Sequence, residues 1–186
     1  MVRQLTSRIN GLVKVSEYAS FSTRLMVANG IFVSKLCYLI QLWGGTEGYL
    51  LASLQVLQNR AARAVTRKSW FTSTRQLLRE CKWLSVNQLV FYQTILQVHK
   101  TIISGKPDNI RKKFSTDHPY PTRQATGGGL RFGEEFDATS GLSHKSFCYR
   151  GTQNYNRVPT YLRKEKTLLT FKYKLKQWVS TNIPLD

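Results

Sequence analysis

The chain has 186 residues, enough for one domain or two small ones with a real core, and its 41% apolar content is that of a globular protein, which sets disorder aside. Twenty-eight Lys and Arg face ten Asp and Glu, a net charge of +18, and both ends share it: residues 1–110 hold 14 basic and 4 acidic side chains, residues 111–186 hold 14 and 6. A folded body with that field attracts polyanions, nucleic acid first. A basic protein with no such role ranks second, because the Arg and Lys fall beside aromatics and helix ends instead of in one solvated run.

In chain order, Leu5, Ile9, Leu12 and Val13 predict a first helix ending near Val15. A second, longer helix is expected over Ser20–Trp43, with Leu25, Phe32, Leu36, Leu39 and Trp43 near one side and Gly44-Gly45 as its stop. Its apolar run is broken by Asn29, Gly30, Ser34 and Lys35, too short and interrupted to span a bilayer. A long amphipathic helix follows. Thr46 caps it, Glu47 suits the positive end of its dipole, and Leu50, Leu54, Leu57, Ala61 and Ala64 form a stripe at steps of four and three. Its last turns are basic: Arg60, Arg63, Arg67 and Lys68.

A short helix is expected over Thr72–Glu80 with Leu77 and Leu78 inward, then a strong one over Ser85–Ser104, where Ser85 and Gln88 have capping-box spacing. Two apolar stripes, Leu89, Tyr92, Leu96 and Ile103 against Phe91, Ile95, Val98 and Ile102, make it central to a bundle. His99 lies on the first stripe and reads as a packed residue. From Gly105 to Gly141 the pattern dissolves into X-Pro turns and the Gly127-Gly128-Gly129 run, a basic linker carrying Arg111, Lys112, Lys113, Arg123 and Arg131. Ser146–Tyr149 reads as a short strand or helical turn. Leu168, Phe171, Leu175 and Trp178 mark a last helix with Lys166, Lys172, Lys174 and Lys176 on its other faces. The fold class expected is mainly α, a helical bundle with a long irregular basic linker. Its divisions are 1–104 for the first bundle, 105–141 for the linker and 142–186 for a basic helical end.

Catalytic groupings are scarce in this sequence. Asp108, Asp117, Asp137 and Asp186 are scattered, whereas two-metal chemistry needs carboxylates converging on ions about 4 Å apart. Glu134-Glu135 with Asp137 reads as solvated loop. Lys106-Pro107-Asp108 begins like a nuclease signature but lacks the acidic-x-Lys partner. His144 and Cys148 are two ligands where zinc needs three or four, and Gly127–Gly129 lacks the Lys-Ser/Thr ending of a P-loop. No metal, cofactor or small-molecule substrate is expected. Cys37, Cys81 and Cys148, odd in number and far apart, read as reduced thiols of an intracellular protein, nuclear or cytoplasmic; no secretion signal follows Met1. What remains is binding. Lys and Arg neutralise phosphates, and aromatics among them can stack on unpaired bases. Trp70 beside Arg67 and Lys68, Tyr120 before Arg123 and Tyr173 between Lys172 and Lys174 are the candidates, while Trp83 and Trp178 are better read as core.

The segments SKLCYLIQLWGG and LQVLQNRAARAVTR together resemble a stretch of the reverse transcriptases of non-LTR (LINE-type, jockey-like) retrotransposons, downstream of the polymerase palm. WFTSTRQLLRECKWLSVNQLVFYQTILQVHK, HPYPTRQATGGGLRFGE, SFCYRGTQNYNRVPTYLR and FKYKLKQWV are similar to the same region in the same order, and RINGLVKVSEYASFSTRLMVANGIF looks like the thumb's helix pair. Single motifs are weak; their order over essentially the whole chain is more specific. The aromatic-Ala-Asp-Asp motif that holds the family's catalytic metals is absent. The resemblance therefore implies a non-catalytic thumb and C-terminal region whose partner is RNA or an RNA–DNA duplex. A palm would act in trans or in a full-length relative. By similarity, phosphate contacts are expected at Arg60, Arg63, Arg67 and Lys68, an assignment the family does not fix residue by residue. A retrotransposon-derived relic, or a host-reused structural or interaction protein, stays open as the second reading. Helices made to pack on a palm should leave an apolar patch exposed around Val13 and Leu25–Leu39.

Overall fold

The computed structural model describes residues 2–46, 48–117, 120, 127–133 and 146–185. It is mainly helical, as the sequence implies, and among the described residues the strands amount to one two-stranded ribbon. The chain forms two compact units: residues 1–40, 46–89 and 185–186, and residues 41–45 and 90–184. This division falls inside a helix, between Leu89 and Val90.

In the first unit, α1 (Val2–Ser16) buries Leu5, Ile9, Leu12 and Ser16 at steps of four, three and four, one helix face. The single helix expected over Ser20–Trp43 is interrupted. It runs as α2 (Phe21–Ala28), a π-helical turn (Asn29–Val33) and α3 (Ser34–Cys37), then breaks at extended Tyr38 and left-handed Leu39 (φ 50°) before α4 (Ile40–Trp43). Its buried residues are Arg24, Ala28, Phe32, Leu36 and Ile40, always four apart. A pure α-helix rotates about 40° further at each such step. The wider π turn takes back part of that drift and keeps the five toward one side. Leu39, expected inside, is exposed because the break turns it outward.

The long helix α5 (Gly48–Thr66) also differs from its expected stripe. Leu54 and Ala61 are buried, but with Gln58, Ala62, Val65 and Thr66; Leu50 is exposed and Leu57 and Ala64 are half-buried. The pivot is Gln58, which is fully buried and donates from Nε2 to the Leu84 carbonyl at 2.8 Å. A polar residue on the buried face hid the true stripe from a count of apolar positions. Glu47 lies outside the described residues. α6 (Thr74–Cys81) is capped by Ser73, whose Oγ accepts from Gln76 N, and buries Leu77, Leu78 and Cys81.

The capping box opening α7 (Val86–Ser104) is present in both directions: Gln88 N donates to Ser85 Oγ at 3.2 Å and Ser85 N to Gln88 Oε1 at 3.0 Å. From Val90 onward α7 belongs to the second unit and is buried on several sides, by Val90, Phe91, Tyr92, Ile95, Val98 and His99. The stretch read as linker is packed at Phe114, Gly127, Gly129, Leu130 and Gly133. α8 (Asp108–Arg111) leads to strand β1 (Phe114–Ser115), antiparallel to β2 (Arg131–Phe132), with Phe114 opposite Phe132. Phe114 and Leu130 are buried. Asn156 holds Leu130 both ways, Nδ2 donating to its carbonyl and Oδ1 accepting its N–H, each at 2.8 Å.

That asparagine sits on α9 (Phe147–Arg157), a full helix where the sequence suggests a short strand or helical turn; glycine and asparagines within it weaken the helical signal. Gly151 is there for space: a Cβ would stand 2.8 Å from Val98 Cγ2. After α10 (Thr160–Arg163), α11 (Leu168–Asn182) buries Phe171, Leu175 and Val179, and Trp178 lies beside Phe91 with ring centroids 6.0 Å apart.

Candidate nucleic-acid interface

In the first unit, the carbonyl ends of two helices are each met by an arginine from elsewhere in the fold. Arg24, only 6% exposed, donates from Nε to Val65 O at 2.7 Å, in the last turn of α5, and from Nη1 to Ala19 O at 2.6 Å. Arg67, just past α5 in the left-handed region (φ 55°), donates from Nε to Ser16 O at 3.0 Å, and its Nη2 reaches the same carbonyl. The unpaired carbonyls at a helix end carry partial negative charge, so a guanidinium satisfies both hydrogen bond and dipole. Burial first, and the Arg67 charge second, lower the pKa of Arg24. Arg67 is thus committed to the fold as well as being exposed at its surface.

The remaining basic residues of this corner differ in exposure: Arg60 and Lys68 are exposed and Arg63 is half-buried. Arg60 is exposed and donates to Asn10 Oδ1 at 2.9 Å. Arg63 donates from Nη2 to Trp70 O at 3.2 Å and lays its guanidinium 4.4 Å from the centre of the Trp70 ring. Lys68 stands 3.6 Å from Glu80 with both side chains about two-fifths exposed, a pair that solvent screens heavily. Next to Glu80, Ser73, Arg75, Gln76 and Arg79 line an open depression. Arg75 and Arg79 are four apart on the exposed face of α6, opposite Leu77, Leu78 and Cys81. The sequence reading missed them; their signal was that spacing on a short helix whose other face is apolar. It missed Phe71 too, which beside Trp70 is 95% exposed.

The second unit carries the other expected residues. Arg111 is half-buried and donates from Nη1 to Phe114 O at 2.6 Å, bracing the turn before the ribbon. Lys112 is exposed and Lys113 half-buried in that turn, and Lys172 and Lys176 are exposed on α11. Lys174 on the same helix pairs with Glu165. Tyr120 and Tyr173 are exposed. Arg123, His144, Glu134, Glu135 and Asp137 lie outside the described residues.

Two groups with catalytic side chains prove structural. His99 is 2% exposed, stacked on Phe171 at 3.6 Å between ring centres. Its Nε2 faces the Glu165 carbonyl at 3.1 Å, which can only accept, so Nε2 carries the proton and Nδ1 accepts from Tyr155 Oη at 2.9 Å. Burial lowers its pKa, only partly opposed by Glu165, and pushes that of Tyr155 up to about 12. Cys81 and Cys148 are buried free thiols; burial raises both, Cys81 to about 12, which leaves little thiolate for chemistry. Among the described residues no group of three or more His, Cys, Asp or Glu is placed to hold a metal ion, and no helix is long and apolar enough to cross a membrane.

No family model, curated protein or solved structure matches this chain. The candidate interface is the cationic corner of the first unit, built from the end of α5, the turn after it and α6. The second unit has exposed Lys112, Lys172 and Lys176 of its own.

Proposed function

We propose that this chain is a non-catalytic thumb and C-terminal region of a non-LTR retrotransposon reverse transcriptase that grips RNA or an RNA–DNA duplex. The observation that carries the reading is the cationic corner at α6: Arg75 and Arg79 line one open depression with Glu80, and Lys68 stands 3.6 Å from that acid. Arg60, exposed, and Arg63, half-buried, add positive charge on the last turns of α5 in the same unit. Phosphates meeting such a corner release their counterions, and affinity then falls as salt rises. The order of the sequence segments supplies the family part of the proposal; the charge of +18 supplies the ligand class. On this reading the chemistry belongs to a palm acting in trans or in a longer chain.

A filter-binding titration of RNA and of RNA–DNA duplex at increasing salt tests it. The expected result is tight binding at low salt and a steep linear fall of log affinity with log salt. A flat response would reject nucleic-acid binding and favour the second reading, a relic or host-reused interaction protein. Primer extension by the purified chain alone would overturn the non-catalytic assignment.

A further inference from the structure

The turn after α5 displays two aromatic side chains where a duplex-gripping surface needs none. Ser69–Thr72 is a closed turn: Thr72 N donates to Ser69 O at 3.1 Å and Phe71 N to Ser69 Oγ at 3.4 Å. Trp70 is held twice by Arg63, through its carbonyl and across its ring. The indole is thus fixed in place by the fold, yet the residue remains 71% exposed, and Phe71 is 95% exposed. With Arg63 over the indole, the exposure of the residue still leaves ring surface for a second flat partner. Exposed aromatic rings in fixed positions lose apolar burial with nothing inside the chain to offset it.

We propose that Trp70 and Phe71 form a stacking platform for unpaired bases, so that this corner takes single-stranded RNA or DNA in preference to duplex. The inference rests on the nucleic-acid reading above and narrows its ligand. A duplex keeps its base faces inside its own stack and offers only edges and phosphates; an unpaired base offers a π-face to any aromatic ring. The charge beside the rings fits the same ligand. Lys68, 3.6 Å from Glu80, and Arg75 and Arg79, which line the depression with that same acid, offer cations to the phosphates of a strand whose bases rest on the turn. An apolar protein partner would meet cations at the same rim and would have to desolvate them.

The test measures fluorescence anisotropy of a labelled single strand and of its duplex with wild type, Trp70→Ala, Phe71→Ala and Trp70→Phe, with circular dichroism confirming that each variant folds. The quantity read is the ratio of single-strand to duplex affinity. We expect wild type to favour the single strand, each alanine variant to lower the ratio roughly ten-fold, and Trp70→Phe to recover most of the loss. A ratio unchanged in both alanine variants, with salt-dependent binding intact, overturns the platform and leaves the nucleic-acid reading standing. Wild type that binds neither ligand overturns both. Concentration-dependent self-association that the alanine variants abolish, with the ratio unchanged, assigns the rings to a protein contact and also overturns the platform.

Discussion

The Arg24 guanidinium lies 2.7 Å from the carbonyl of Val65, forty-one residues away, and closes the C-terminal end of α5 from inside the first unit. Arg67, two residues beyond Val65, does the same for α1 at Ser16. The two arginines thus tie α1, α2 and α5 together at one end, and part of the chain's positive charge is structural. Arg24→Ala leaves the Val65 and Ala19 carbonyls without their donor in a buried setting. It should lower unfolding free energy by about 2–3 kcal/mol. Urea titration of the variant checks this, and an unchanged midpoint would mean water replaces the guanidinium at no cost.

Gly151 allows α9 to approach Val98 of α7 within the second unit. Gly151→Ala puts a methyl 2.8 Å from a β-branched side chain that has few rotamers to yield into, and should cost about 1–3 kcal/mol. The pair Gly151→Ala with Val98→Ala should be less damaging than the sum of its singles, since the shortened residue 98 vacates the space. Strict additivity in thermal unfolding would show that the contact does not limit the approach.

His99 makes the second unit sensitive to acid. Its folded pKa lies below the ordinary value of 6.5, so the unfolded chain takes up a proton first as pH falls. The contribution to stability is therefore complete above pH 6.5 and is lost progressively as pH drops from there through the folded pKa. The loss approaches about 1.4 kcal/mol per pH unit within that window. Comparing urea midpoints of wild type and His99→Phe between pH 7.5 and 5 checks it: the difference should shift in favour of the variant at acid pH. A constant difference would show that His99 does not titrate in this way.

Much of this fold could be read in the sequence where local chemistry and burial agree. The Ser85/Gln88 capping box and the Leu77-Leu78 pair are of that kind, because each is a short-range pattern with one structural solution. The failures have physical causes too. Gln58 replaces an apolar residue on the buried face of α5, so counting apolar positions rotates the stripe. The π turn at Asn29–Val33 and left-handed Leu39 break a periodicity that assumes one helix. The ends of the Gly- and Pro-rich stretch pack through Phe114 and Leu130, two residues in a segment otherwise devoid of pattern. At the candidate interface, sequence reading located the basic end of α5 and Trp70. It could not see that Arg67 is committed to Ser16, a contact fifty-one residues distant, nor that α6 brings Arg75 and Arg79 beside Glu80.

The cationic corner is tested most directly by the slope of log affinity against log salt for RNA, measured for wild type and for Arg75→Gln/Arg79→Gln. Both side chains are exposed and remote from the core, so folding should be unaffected. The account predicts a steep negative slope for wild type that becomes shallower by about 1–2 in the double variant, since each phosphate-contacting cation contributes a slope of about one. A wild-type slope near zero, or one identical in the variant, would contradict it.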